Sequence, residues 1–203
     1  METSEKLLIR SLEMFMRYGI KSVSMDDIAS EMGMSKKTLY QYVKDKRDLV
    51  NQSVNYHFTQ DREACSRVLG HSSNAIEQML DIASHVIQMM RQMNPSTIYD
   101  LRKYYPEGWK KFEEHRKVFI VSCIRDNIQN GKENGLYRPE LSEDVIAKIY
   151  ITLIDASVNP TSELAELQNY SEIIRQVIDY HLHAITTHEG REYLYKHIEA
   201  LNL

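Results

Sequence analysis

Glycine and proline are scarce, with 7 Gly and 4 Pro spread over 203 residues. Sandwiches and barrels need frequent turns, so this shortage argues against an all-β architecture and predicts an all-α fold. Cysteine is scarcer still. Cys65 and Cys123 show no CxxC or Cys/His metal spacing, which excludes a disulfide framework and predicts two reduced core thiols in a reducing compartment. There is no long apolar run: the most apolar stretch, 145–154, is interrupted by Lys148, and the amino-terminal segment carries Glu2 and Glu5. Neither a membrane span nor an export signal is expected, and the location expected is cytoplasmic. Nucleophile elbows, Walker loops, dinucleotide-binding glycine motifs and HExxH pairs are all missing, so no enzyme and no cofactor is expected. His181, His183 and His188 cluster near the end of the chain, but the first two point in different directions on a helix, and no metal site is expected.

What is present is an ordinary globular composition, 42% hydrophobic and 27% charged, long enough to bury a core without staples. A formal net charge of -4 argues against a protein that coats nucleic acid without specificity. The distribution says more. Residues 1–48 hold nine Lys/Arg against eight Asp/Glu, while the other 155 hold 16 against 21. Lys36, Lys37, Lys44, Lys46 and Arg47 fall within twelve residues whose one acid is Asp45, a local anion-facing patch on an acidic chain.

Apolar spacing predicts a first helix from about Ser4 to Tyr18, with Leu8, Leu12 and Phe15 on one face and Gly19 ending it. Ser24 reads as the N-cap of a second helix, Asp26 and Asp27 occupy its first turn, and Gly33 stops it. After the short turn at Met34 and Ser35 comes another helical run, Lys36 to Val43. This is helix-turn-helix spacing. Asp45, answered by Asp48, opens a long fourth helix towards Leu69, and the breaker cluster 70–73 follows. A fifth helix runs from near Asn74 to Met93, 96–106 is a short tyrosine-rich segment, and a long helical pattern starts at Gly108. The Asn130-Gly131 and Asn134-Gly135 pairs also allow a hairpin of 118–124 with 136–141; it is rejected because Trp109, Phe112, Phe119 and Cys123 keep helical spacing and Asn134-Gly135 suits a left-handed C-cap. Two last long helices, about 143–158 and 171–188, are separated by Asn159-Pro160, and a tail helix lies near 191–201. The expected division is a DNA-contacting domain, 1–48, and a helical domain, 49–203, with 46–69 as connector.

A recognition helix presents its N-terminal residues to base edges in the major groove while cations and hydroxyls hold phosphates. Lys36 and Lys37 stand at that N-terminus, next to Ser35. Lysine donates to guanine, Gln41 pairs with adenine, and Thr38, Tyr40 and Tyr42 offer hydroxyls, while Leu39 and Val43 face the core. Lys46 sits at the N-terminus of helix four, which attracts phosphate. The stretch SMDDIASEMGMSKKTLYQYVKDKRDL, 24–49, resembles the DNA-binding signature of the TetR (tetracycline-repressor) family in its Ile-Ala, Gly-x-Ser, Thr-Leu-Tyr and Lys-x-Lys elements. The resemblance implies that Tyr40 and Lys46 clamp phosphates, that Ser24 caps helix two at the DNA backbone, and that Lys36, Lys37 and Tyr42 face bases or nearby phosphates. Lys37 stands where a small residue is common and Tyr42 where His is common, which bears on base preference rather than docking.

The same resemblance implies a homodimer joined through the last two long helices, bound to a near-palindromic double-stranded operator and released by a small-molecule effector, most simply as a repressor. Apolar residues on both faces of those helices agree, and the expected interface is Ile146, Tyr150, Leu153, Ile154, Ile174, Val177, Ile178, His181 and Ile185. Met89, Met90, Met93, Tyr99, Tyr104, Tyr105, Trp109, Phe112, Phe119 and Tyr150 are the expected lining of an effector pocket. The alternative is a helical ligand-binding or enzymatic dimer with a DNA-inactive helix-turn-helix, which has no reason to keep Lys36, Lys37, Tyr40 and Lys46 together.

Overall fold

The computed structural model describes residues 2–71, 73–159, 162–167 and 169–197, without the side chains of 64–71, 165 and 166. The described elements are helical: α1 (Thr3–Tyr18), α2 (Met25–Glu31), α3 (Lys36–Leu39), α4 (Lys46–His71), α5 (Ala75–Gln92), α6 (Ser96–Tyr104), α7 (Pro106–Glu114), a π-helical turn (His115–Ile120), α8 (Val121–Glu133), α9 (Glu143–Val158), a 3-10 turn (Glu163–Leu167), α10 (Tyr170–Ile185) and α11 (His188–His197). Among the described residues no strand forms; a lone antiparallel bridge joins Tyr137 and Thr186. Nor is any described helix long and apolar enough to cross a membrane. Ser72 of the breaker cluster, Pro160 of the Asn-Pro break and the end of the expected tail helix, 198–201, lie outside the described residues, as does the side chain of Cys65; Cys123 is partly buried.

The chain packs as two compact units, Met1–Arg62 with Gln92–His115, and Glu63–Arg91 with Arg116–Leu203. The expected boundary at residue 48 follows the motif, whereas packing follows apolar faces: Val50, Val54 and Phe58 of α4 belong to the core of the first unit. That core also takes Leu7 and Phe15 from α1, Ile28 from α2, Leu39 from α3 and Leu101 from α6. Each fully buried Leu, Ile or Val contributes roughly 1.5–3 kcal/mol against the entropy of ordering the chain. The short tyrosine-rich segment 96–106 is helical over Ser96–Tyr104. Pro95 and Pro106 stand at helix starts, where a missing N–H costs nothing, so the two prolines bracket α6 and open α7 rather than break a helix. Hydrogen bonds tie α6 and its lead-in to α1 and the loop after it: Asn94 N–H to the Met16 carbonyl (2.6 Å), Thr97 Oγ1 to the Phe15 carbonyl (2.9 Å), and Lys21 N–H to Asp100 Oδ2 (2.8 Å).

The second unit is built on α5, α8, α9 and α10. Asn134 and Gly135 end α8 with Gly135 at φ 72°, as the C-cap reading requires. The chain then turns so that Tyr137 is fully buried, its hydroxyl donating to the Ala75 carbonyl at 3.1 Å and to Asn127 Oδ1 at 3.3 Å.

Five residues of the expected dimer face are buried by the packing of this unit. Tyr150, Ile174, Ile178, His181 and Ile185, named for a partner subunit, lie in the interior of their own unit, with Ile174 at 0% and Ile178 at 1% exposure. Ile146 and Ile154 pack partly against the same core, and Leu153 and Val177 are half-buried. The isoleucine stripe of α10 is a core face because its 3.6-residue period faces α9 within the chain; the outward apolar residues are Val145 and Ile149 on α9 and Tyr180 on α10.

His181 gives this interior a pH dependence. Its ring lies 4.5 Å from that of Tyr150, and burial pushes the imidazole down to about 4. The unfolded chain titrates near 6.5, so stability is complete above that pH and falls as the unfolded state takes up protons that the folded state refuses, down to about pH 4. The expected loss between pH 7.5 and pH 5 is about 2 kcal/mol. Urea unfolding at both pH values, with His181→Leu alongside, checks it: the loss should shrink in the variant, and an equal loss in both contradicts it.

Candidate nucleic-acid interface

The reading element is assembled by caps. Ser24 Oγ accepts the N–H of Asp27 (3.1 Å), and Asp27 Oδ2 accepts the Ser24 N–H (2.8 Å) and hydroxyl (2.7 Å), a reciprocal capping box at the start of α2. The Ser24 hydrogen bonds hold the Asp27 carboxyl below the usual range. Gly33 ends α2 at φ 62°, in left-handed space that a side chain rarely enters. Ser35 then caps α3 by accepting the Thr38 N–H at 3.0 Å.

The third helix is shorter than expected. Regular α-geometry covers Lys36–Leu39; the Gln41 and Tyr42 N–H groups reach back three residues, to the Thr38 and Leu39 carbonyls at 3.0 Å each, and tighten the chain into turns. Burial of Leu39 (0%) and Val43 (3%) draws the segment down onto the core and turns its polar side chains outwards. Lys37, Tyr40, Gln41, Tyr42 and Lys44 are exposed, and Thr38 is half-buried. Lys36 is exposed but engaged: its ammonium lies 2.9 Å from Asp26 Oδ2, a solvent-screened ion pair readily exchanged for another anion.

Lys46 opens α4 and is half-buried, its Nζ donating to the Lys21 carbonyl at 3.3 Å. Burial pushes its ammonium down, partly opposed by Asp100 and Asp27. Asp45 Oδ1 accepts the Asp48 N–H (2.8 Å), and Asp48 Oδ2 accepts the Lys44 N–H (2.9 Å), so both acids next to the patch are engaged by the backbone. Ser24, Ser35, Lys36, Lys37, Thr38, Tyr40, Gln41, Tyr42 and Lys46 thus all belong to the first unit. Sequence reasoning missed Asp26, the partner of Lys36, and Lys21, whose backbone joins Lys46 to Asp100; a cation three residues ahead of the Ser24 cap was the available signal.

The expected effector lining is drawn from both units. Met93, Tyr99, Tyr104, Tyr105, Trp109 and Phe112 belong to the first unit, and Met89, Met90, Phe119 and Tyr150 to the second. Tyr105, Trp109 and Phe112 pack on the core of the first unit, and Tyr99 is exposed, its hydroxyl bonded to Lys103 Nζ at 2.6 Å. Among the described residues no group of His, Cys, Asp and Glu is arranged to hold a metal ion.

An all-α chain with a capped helix-turn-helix and a polar, cationic third helix defines a DNA-binding transcriptional regulator. Residues 7–52 match the family described as bacterial regulatory proteins, tetR family. The chain is 23% identical over 188 residues to YvaF of Bacillus subtilis, an uncharacterized HTH-type transcriptional regulator, covering 91% of this chain and 96% of that one. Among solved structures it resembles reduced NemR of E. coli (12% identity, 91% and 97% of the two chains, TM-score 0.75) and a TetR transcriptional regulator of Legionella pneumophila (16%, 92% and 98%, TM-score 0.71). Residues 7–52 are thus similar to the amino-terminal region of tetR-family bacterial regulators. YvaF and the Legionella protein are both described as transcriptional regulators.

Proposed function

We propose that the protein is a cytoplasmic repressor that binds a near-palindromic operator as a homodimer and leaves it when a small molecule binds. The observation that carries this reading is the outward array of Lys37, Tyr40, Gln41, Tyr42 and Lys44 on a segment anchored by the fully buried Leu39. Lys37 and Gln41 read base edges, with Lys36 leaving Asp26 to join them; Ser24, Ser35, Thr38, Tyr40, Tyr42 and Lys46 hold the phosphates that set the register. Residues 1–48 supply the DNA contacts and 49–203 the remaining functions, with 46–69 as connector.

Release runs through α6. Its hydrogen bonds to the Phe15 carbonyl and the Lys21 N–H transmit a displacement of α6 to α1 and to the support of Lys46, and an effector acts by binding the displaced arrangement more tightly. The proposed effector site keeps Met89, Met90 and Phe119, which are partly exposed, and gives up the aromatic residues that serve as core.

The proposed dimer face passes to the outward residues of α9 and α10, Val145, Ile149 and Tyr180, which are 54%, 48% and 67% exposed. Exposed apolar side chains of this size on a helix pair fit a two-fold interface that buries the same patch on both subunits. Ile149→Glu is expected to shift the protein to monomer in sedimentation velocity with its helical content intact, and to weaken operator binding. A dimer of unchanged affinity contradicts this face.

A further inference from the structure

Beside the reading element, the first unit has a cleft of about 500 Å³ lined by Lys21, Asp45, Lys46, Arg47, Tyr104 and Tyr105. Segments distant in sequence build it: the loop between α1 and α2, the first turn of α4, and the end of α6. Three cations face one carboxylate, and the Asp45 oxygen Oδ1 is already an acceptor for the Asp48 N–H. The Lys21 backbone is fixed at both ends, its N–H on Asp100 and its carbonyl on Lys46 Nζ. Its ammonium lies 3.5 Å from the Tyr104 hydroxyl and 5.1 Å from the centre of that ring. Lys103, 5.3 Å from the same ring centre, continues the positive edge along α6.

We infer that this cleft is a second phosphate site of the DNA-binding unit, in which Lys21, Arg47 and the Tyr104 hydroxyl take a backbone phosphate flanking the groove that α3 enters. The inference rests on the DNA-binding reading and extends it to α6, a helix outside the helix-turn-helix. A phosphodiester needs cations and O–H or N–H donors in excess of carboxylate, and the cleft supplies three cations and the Tyr104 hydroxyl against Asp45 alone, whose Oδ1 is already an acceptor. The first turn of α4, the positive end of a 26-residue helix, adds a favourable field. Two further facts agree: the hydrogen bond from Lys21 holds the Tyr104 phenol below its usual range, and burial holds the Lys46 ammonium below its own, a penalty that an incoming anion relieves.

Lys21→Ala tests this cleanly, because both structural bonds of Lys21 run through its backbone. Affinity of the full chain for a random-sequence duplex is measured over a salt series, with Lys21→Arg, Tyr104→Phe and Lys46→Ala alongside. Lys21→Ala is expected to flatten the log-log salt slope by roughly 0.9 for each phosphate it no longer neutralises, and to weaken binding about 5-fold per phosphate at about 0.15 M salt. Lys21→Arg should keep the slope, and Tyr104→Phe should weaken binding without changing it, since a neutral phenol releases no counterion. An unchanged slope in Lys21→Ala while Lys46→Ala flattens it overturns the inference alone. Unchanged slopes in both overturn the inference together with the Lys46 clamp, whereas failure of the wild-type chain to bind any duplex overturns the DNA-binding reading and the inference with it. Inorganic phosphate bound by wild type but not by Lys21→Ala, with equal DNA slopes, makes the cleft a site for free anions and overturns its assignment to DNA.

Discussion

Lys46→Ala is expected to weaken binding to operator and random DNA alike, by about 30-fold at about 0.15 M salt for a dimer in which both subunits lack this clamp. Each neutralised phosphate releases about 0.9 counterion, which corresponds to about a 5-fold change at that salt, and the two subunits multiply. The loss is uniform because phosphates carry no sequence information. Lys46 is placed for such a role: it opens a long helix, and its Nζ is held against the Lys21 carbonyl at 3.3 Å, so little side-chain entropy remains to be lost on binding. Lys37→Ala should behave differently, relaxing discrimination at one base pair by about 1–3 kcal/mol, because an exposed lysine on α3 reaches base edges. Titrations of an enriched and a random duplex over a salt series separate the two. A base-selective loss in Lys46→Ala, or an unchanged slope, contradicts its role as a phosphate clamp.

Gly131→Ala is expected to destabilise the protein by about 3 kcal/mol through overpacking, which for a chain of this size lowers the melting temperature by roughly 6–12 °C. A Cβ at this position would lie 2.1, 2.4 and 2.6 Å from Cδ2, Cε2 and Cγ of Tyr137. The ring has nowhere to go. It is fully buried, its hydroxyl is bonded to Ala75 and Asn127, and the Leu136 and Tyr137 N–H groups both donate to the Gly131 carbonyl, at 2.9 and 3.0 Å. The same close approach explains the Asn-Gly-Leu-Tyr-Arg segment at 134–138: Gly135 reverses the chain so that Tyr137 lies back on α8. A double-mutant cycle checks the cause. Tyr137→Leu removes the ring atoms in question, so Gly131→Ala should cost much less in that background. Simple additivity contradicts overpacking against Tyr137.

How much of this was legible in the sequence depended on whether a feature is local. The N-cap at Ser24, the stop at Gly33 and the C-cap at Asn134-Gly135 are short-range chemistry, and residue type alone announced them; the reciprocal bond from Asp27 and the left-handed φ of Gly33 are added by the structure. Helices α1, α2 and α4 followed from that punctuation. The reach of α3 did not, because its end is set by how far Leu39 and Val43 are drawn into the core, a tertiary effect. Which way a face points was the least legible. Ile174 and Ile178 form a regular apolar stripe, but periodicity does not say whether a stripe meets its own chain or another; the exposed Ile149 and Tyr180 carry that information once the fold is known. The aromatic residues of 93–119 likewise read as one cavity wall, although packing divides them between two units. Lys21 and Tyr104, 83 residues apart and 3.5 Å from each other, had no sequence signal connecting them.

Whether this protein reads a specific DNA sequence is decided by selection from a random duplex library with the purified full chain at about 0.15 M salt, because phosphate-only binding is weak under that condition. Enrichment of an inverted repeat is expected, with half-sites one helical turn, or a small multiple of it, apart. Absence of any enriched sequence, from protein whose mass spectrum shows no bound small molecule, would contradict sequence-specific reading by the helix-turn-helix.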